Sequence, residues 1–164
     1  MKSVLLLNAA ILVHAGVNIP VQPNFDVRKI TGRWYPIAVV LANAITFPGE
    51  PAANEDVVPL ANGAILVTNS FMRNGICTKY ALIFDPSHQP GKFLTQDRSS
   101  TLRMVEVKYN SHYILHVQMK NSAALHLNTR KLNGIDAMKN TFKQRAASMG
   151  FSVDDIQFLA PGGK

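Results

Sequence analysis

The strongest constraint in this chain is a change of hydrophobic period. From Gly32 to Arg130, short runs of β-branched and aromatic residues are cut by turn dipeptides; beyond Arg130 the spacing lengthens to that of a helix. Ala64–Met72 is expected as a strand entered through Asn62-Gly63, a hairpin dipeptide. Asn74-Gly75 gives a second hairpin signal, leading into Ile76–Phe84. Asp85-Pro86 and Pro90-Gly91 close that run and open Lys92–Gln96. Thr101–Tyr109, His112–Lys120 and Ala123–Arg130 follow, with one further segment after Trp34 and a weaker one near Val57. This predicts an all-β meander of about eight antiparallel strands, whose edges are most easily hidden by closing into an up-and-down barrel.

After the strands, Ile135, Met138, Phe142, Ala146 and Met149 fall on one stripe of an α-helix, and Gly150 is a plausible stop. Lys139, Lys143 and Arg145 occupy its other faces. A lone amphipathic helix must lay its stripe on something apolar, here the outside of the barrel. Ile156 and Phe158 can add a short terminal strand, and residues 161–164 read as a loose tail.

Composition bounds the rest. The chain has 164 residues, 47% hydrophobic and 16% charged, enough for one domain with a real core and too apolar for disorder. Residues 1–15 read as a secretory signal peptide: Lys2, an apolar run from Val4 to Val13 broken by Asn8, and Val13 and Ala15 where the peptidase reads. The expected mature domain is 16–164. A membrane span is not expected, because Asn18, Pro20, Gln22 and Pro23 interrupt too soon. The single cysteine, Cys77, excludes an intrachain disulfide framework and a cysteine-based zinc cage. No Asn-x-Ser/Thr sequon occurs. Loss of Lys2 takes the formal charge of +7 down by one, so the mature chain stays basic.

The stretch from Asn24-Phe25-Asp26 to Gly32-Arg33-Trp34-Tyr35 resembles the first signature of the lipocalin family. Leu127-Asn128-Thr129-Arg130 resembles its third, and the helix with Gly150-Phe151 and Ile156 to Leu159 is similar to the family's ending. The likeness covers essentially the whole mature chain and is closest to prostaglandin-D-synthase-like and α1-microglobulin-like members. It implies an eight-stranded barrel with Trp34 plugging the closed end, Gly32 allowing close approach, and Arg130 laid across the indole as a cation–π partner. The second signature departs: Lys108-Tyr109-Asn110-Ser111-His112-Tyr113 keeps only the final tyrosine of the family's pattern.

The resemblance also implies what is missing. The isomerase-like relatives' nucleophilic cysteine aligns with Asn54, and the redox cysteine of the α1-microglobulin-like relatives with Asn43; neither amide can act as a thiolate. Cys77 aligns with a half-cystine whose partner position is Ala146. It is left as a free thiol, an intermolecular bridge or a small buried hydrophobe.

No catalytic triad, phosphate-cradling loop or cofactor motif is evident, and no cofactor or metal is expected. His112 and His116 share one strand face but stand about 13 Å apart, too far for one metal; His116 and His126 can be cross-strand neighbours without a third ligand. Nucleic acid is not expected as a partner, since the basic residues are scattered and the helix lysines read as a solvated face. A small hydrophobic guest with an anionic group suits a basic barrel better.

Strand parity nominates a pocket. Ile65, Val67, Asn69 and Phe71 share one face, as do Tyr80, Leu82 and Phe84; Phe93 and Thr95 continue them. Family alignment points Arg103, Val105 and Val107 inward. On the last strands Leu115, Val117, Leu125 and Leu127 are assigned to the helix side, leaving His116, Gln118 and His126 as cavity anchors beside Arg103. The expected function is a secreted carrier of a small hydrophobic molecule such as an odorant, retinoid or lipid. An isomerase-type enzyme and a structural barrel with a filled interior are the alternatives. A receptor or a Cys77-linked dimer stays open.

Overall fold

The computed structural model describes residues 18–42 and 51–160. The expected leader, Asn43 and the loose tail lie outside the described residues. Eight strands follow in order: β1 (Gly32–Leu41), β2 (Asn54–Pro59), β3 (Ile65–Arg73), β4 (Ile76–Pro86), β5 (Lys92–Thr95), β6 (Thr101–Lys108), β7 (His112–Gln118) and β8 (Ala123–Thr129). Each pairs antiparallel with the next, and β8 returns to β1. The ring closes where Gly32, Arg33 and Trp34 of β1 meet Val57, Asp56 and Glu55 of β2. Above that seam, β9 (Gln157–Phe158) takes the edge of β1 that β2 has left, opposite Ala38 and Val39. The expected eight-stranded barrel with one outside helix is the observed fold.

Turn chemistry explains the hairpins. Asn74 and Gly75 have φ of 51° and 76°, so both central residues of the β3–β4 turn are left-handed, the twist that a two-residue hairpin needs. At the base, Gly91 has φ +86° and any Cβ there would lie 2.8 Å from Val21 Cγ1. Only glycine lets the N-terminal segment cross so closely; the Gln22 amide donates to the Met104 carbonyl and the Val107 amide to the Gln22 side chain.

The helix α1 (Asp136–Ser148) lies outside, as the stripe predicts. Phe142 and Ala146 are fully buried against Ile37, Val40, Ile114, Leu125 and Leu127. Glu106 pins the two layers together, accepting from Arg145 of α1 at 2.7 Å and lying 3.1 Å from His112 Nε2. No helix among the described residues is long and apolar enough to cross a membrane.

Two features overturn the expected facing of the later strands. The β7–β8 hairpin pairs Gln118 with Ala123 and leaves 119–122 in the loop. That even loop puts residues of opposite parity on one face, so Leu115 stands beside His126 and His116 beside Leu125. β6 also carries a bulge at Val105: Met104 pairs with Leu115, but Glu106 pairs with Ile114. Leu102, Met104 and Val107 therefore join the inner core, while Val105 joins the helix side. Cys77 is exposed on β4, so its reading as a small buried hydrophobe is corrected.

Candidate functional site

The closed end of the barrel is built by Trp34. Its ring is fully buried, and its Nε1 donates to the Ile30 carbonyl at 2.9 Å. The Arg130 guanidinium lies 3.5 Å from the indole centroid and donates to the carbonyls of Thr31, Arg33 and Tyr109. Gly32 has φ +100°, and a Cβ there would sit 3.1 Å from Arg130 Nη1. Glycine, tryptophan and arginine are thus one device: the backbone bends and thins so that the cation can reach the ring. On the cavity side, Tyr113 meets Trp34 edge-on at 4.8 Å.

Above this floor the interior is hollow. A lower chamber of about 210 Å³ is walled by apolar side chains including Val57, Ile65, Val67, Phe93, Met104 and Val117. An upper chamber of about 250 Å³ is lined by Val39, Phe71, His126 and Asn128, and by Gln157 and Leu159 near β9. Both chambers touch Glu55, Asn69 and Leu115, which form the waist between them.

The polar groups are few and neutral. Glu55 takes a hydrogen bond from the Tyr113 hydroxyl. Withdrawal from water pushes its carboxyl up to about 8, so it stays protonated at neutral pH. Burial, aided by the nearby His116, holds His126 down to about 4. No lysine or arginine is among the described residues lining either chamber.

The structure sorts the expected pocket residues. Val67, Asn69, Phe71, Phe93 and His126 line the chambers. Tyr80 and Leu82 share a face with Asn69 and Val67 but line neither chamber and are 62% and 51% exposed, because the short β5 covers only the foot of β4. Tyr80 instead sets its ring edge-on to Phe71 at 5.7 Å. The inward placement of Arg103, Val105, His116 and Gln118 is corrected. The bulge and the even loop turn Val105 and His116 to the outer side, where His116 packs 6.0 Å from the Phe151 ring. There burial, then the Arg103 charge, lower the His116 imidazole to about 4. Arg103 pairs across from His116 and shares that face, and Gln118 folds back on its own hairpin to the Met119 and Ser122 carbonyls. Sequence reasoning missed Glu55 and Tyr113. The signal for Glu55 was its spacing of two from inward Val57; Asn54, the amide at the expected nucleophile position, falls on the opposite parity.

Among the described residues no cluster of histidine, cysteine, aspartate and glutamate could hold a metal. Among the described residues the arrangement offers burial of apolar surface and a few hydrogen bonds. Comparison with known proteins agrees with this architecture. Residues 31–162 match the model of the lipocalin / cytosolic fatty-acid binding protein family. The chain is 33% identical over 129 residues to lipocalin Can f 6.0101 of Canis lupus familiaris, covering 74% of this chain and 67% of that one. It is 25% identical over 144 residues to epididymal secretory protein 4 of Zootoca vivipara (87% and 82%), and 27% identical over 154 residues to prostaglandin-H2 D-isomerase of Mus musculus (85% and 80%). With a family model matched over residues 31–162 and a closed antiparallel barrel floored by Gly32, Trp34 and Arg130, the chain belongs to the lipocalin family.

Proposed function

We propose that this protein is a secreted, non-enzymatic carrier that encloses one small hydrophobic molecule, an odorant, retinoid or lipid, in the barrel. The observation that carries this reading is the pair of apolar chambers inside a closed barrel. Burying ~300 Å² of apolar guest surface at ~25 cal/mol per Å² supplies ~7 kcal/mol before association costs, enough for useful affinity. In this reading residues 1–15 are the leader and 16–164 the mature domain. Val67, Asn69, Phe71, Phe93 and His126 are proposed as guest contacts, joined by Glu55, Tyr113 and Leu115.

The likeness to an isomerase raises a catalytic alternative. Against it, the position where the resemblance implies a nucleophile holds Asn54, and Cys77 is exposed on β4, away from both chambers. The test is binding of Nile red, a neutral polarity-sensitive dye. The mature protein should brighten it, and filling the waist with Leu115→Trp should abolish the signal while the fold persists by circular dichroism. A dye signal indifferent to Leu115→Trp overturns the carrier reading. Turnover of a prostaglandin endoperoxide by the wild type overturns its non-enzymatic part.

A further inference from the structure

The waist of the cavity holds an acid where an oily barrel has no structural need of one. Glu55 lies between both chambers, and its part-exposed surface faces the hollow. One carboxyl oxygen is engaged by the Tyr113 hydroxyl, which leaves acceptor capacity turned to the interior. The neighbours on every packed element are known. Asn69 of β3 pairs across from it, Tyr113 comes from β7, His126 from β8, and Trp34 from β1. Arg33 and Asp56, adjacent in register, face the other way and pair with each other at 2.9 Å. Arg130 is spent on the indole and three backbone carbonyls. No cation of the described lining is placed to stabilise the ionised acid, and a cationic guest would supply the one partner that the ionised form lacks.

The geometry points to Glu55 as the residue that selects the guest's head group: the cavity takes an apolar amine and excludes carboxylates of the same length. This rests on the carrier reading and narrows it; it also replaces the anionic guest that the basic net charge suggested. An ammonium at the waist would reach the Glu55 carboxylate, with Asn69 and Asn128 offering side-chain carbonyl oxygens among the same lining residues. Its hydrocarbon body would fill the lower chamber. A carboxylate guest would meet only an acid and a neutral imidazole, and would lose its hydration without a donor of opposite charge. Because free Glu55 is protonated at neutral pH, binding an ammonium converts Glu55–COOH to Glu55–COO⁻ and releases one proton to solvent.

The experiment is displacement of Nile red by dodecylamine, dodecanol and dodecanoate at several pH values. Dodecylamine should displace the dye at least ~10-fold more effectively than dodecanoate, and its affinity should rise by about tenfold per pH unit below the Glu55 pKa. Glu55→Gln should bring amine and carboxylate to within ~3-fold of each other and flatten the pH dependence. Calorimetry of the wild type in buffers of different ionisation enthalpy should register release of ~0.9 proton per amine bound near pH 7, a readout that needs no variant. Tighter binding of dodecanoate, an amine affinity flat in pH, or no proton release overturns the proposal. Displacement by dodecanol but not by dodecylamine overturns it while sparing the carrier reading. Failure of Nile red itself to bind removes both.

Discussion

The wall formed by β7 and β8 has two faces of opposite character, and each holds a histidine. His126 looks into a hollow that Glu55, Asn69 and Leu115 leave unfilled. His116 looks outward into a layer packed solid by Phe142, Ala146, Phe151, Leu125 and Leu127. Both imidazoles are held neutral by burial, at about 4, yet one borders space for a guest and the other borders the helix. The difference teaches where this fold keeps its rigidity. The outer layer is a continuous cluster of buried side chains that ties the wall to α1, while the inner face borders the cavity.

That contrast can be broken most directly by truncation. Phe142→Ala on the solid side should cost ~3–5 kcal/mol in denaturant unfolding, because its neighbours cannot collapse into the void. Leu115→Ala on the hollow side should cost far less, ~1 kcal/mol, since its side chain already borders empty space. Equal losses would mean that the two faces do not differ.

Acid gives the next largest effect. A neutral-held histidine contributes stability that is fully present above its ordinary 6.5 and is lost as pH falls through about 4. Unfolding measured by fluorescence should therefore show stability falling on acidification, with His116 contributing up to ~3 kcal/mol. His116→Leu should remove that share of the acid loss without altering Nile red binding, whereas His126→Leu should alter dye binding as well. Glu55 runs the opposite way. Its raised carboxyl contributes stability complete below about 4.5 and lost as pH rises through about 8, so Glu55→Gln should flatten the alkaline side of the profile.

Smaller effects sharpen the floor and the rim. Gly32→Ala should cost ~1–3 kcal/mol in thermal unfolding, through left-handed strain and the displaced Arg130. Cys77→Ser, on exposed β4, should leave stability within ~0.5 kcal/mol.

The strands were legible because turn residues punctuate them: Asn74-Gly75 and Pro90-Gly91 mark hairpins by their own backbone chemistry, and the stripe ending at Met149 marks a helix by period. Facing was less legible. The run from His112 to Gln118 has apolar residues on both faces, since one packs on α1 and the other lines the cavity, so composition alone cannot assign its sides. Loop length decides it, and the loop's bounds are fixed by hydrogen bonding. The bulge did leave a trace: Leu102, Met104, Val105 and Val107 show two apolar residues side by side, the phase slip of an inserted residue. Glu55 was hidden between Asn54 and Asp56, a polar run that reads as a loop until Val57 sets its parity.

The Arg130 guanidinium that steadies Trp34 comes from the far end of the strand series, and β1 takes β8 as its neighbour. Beyond its first three residues, which pair with β2, the earliest strand to leave a ribosome therefore cannot find its lasting partner until β8 has been made. Assembly of such a chain is governed by its longest-range pairing, which makes for slow folding and a prolonged interval with raw sheet edges in the open.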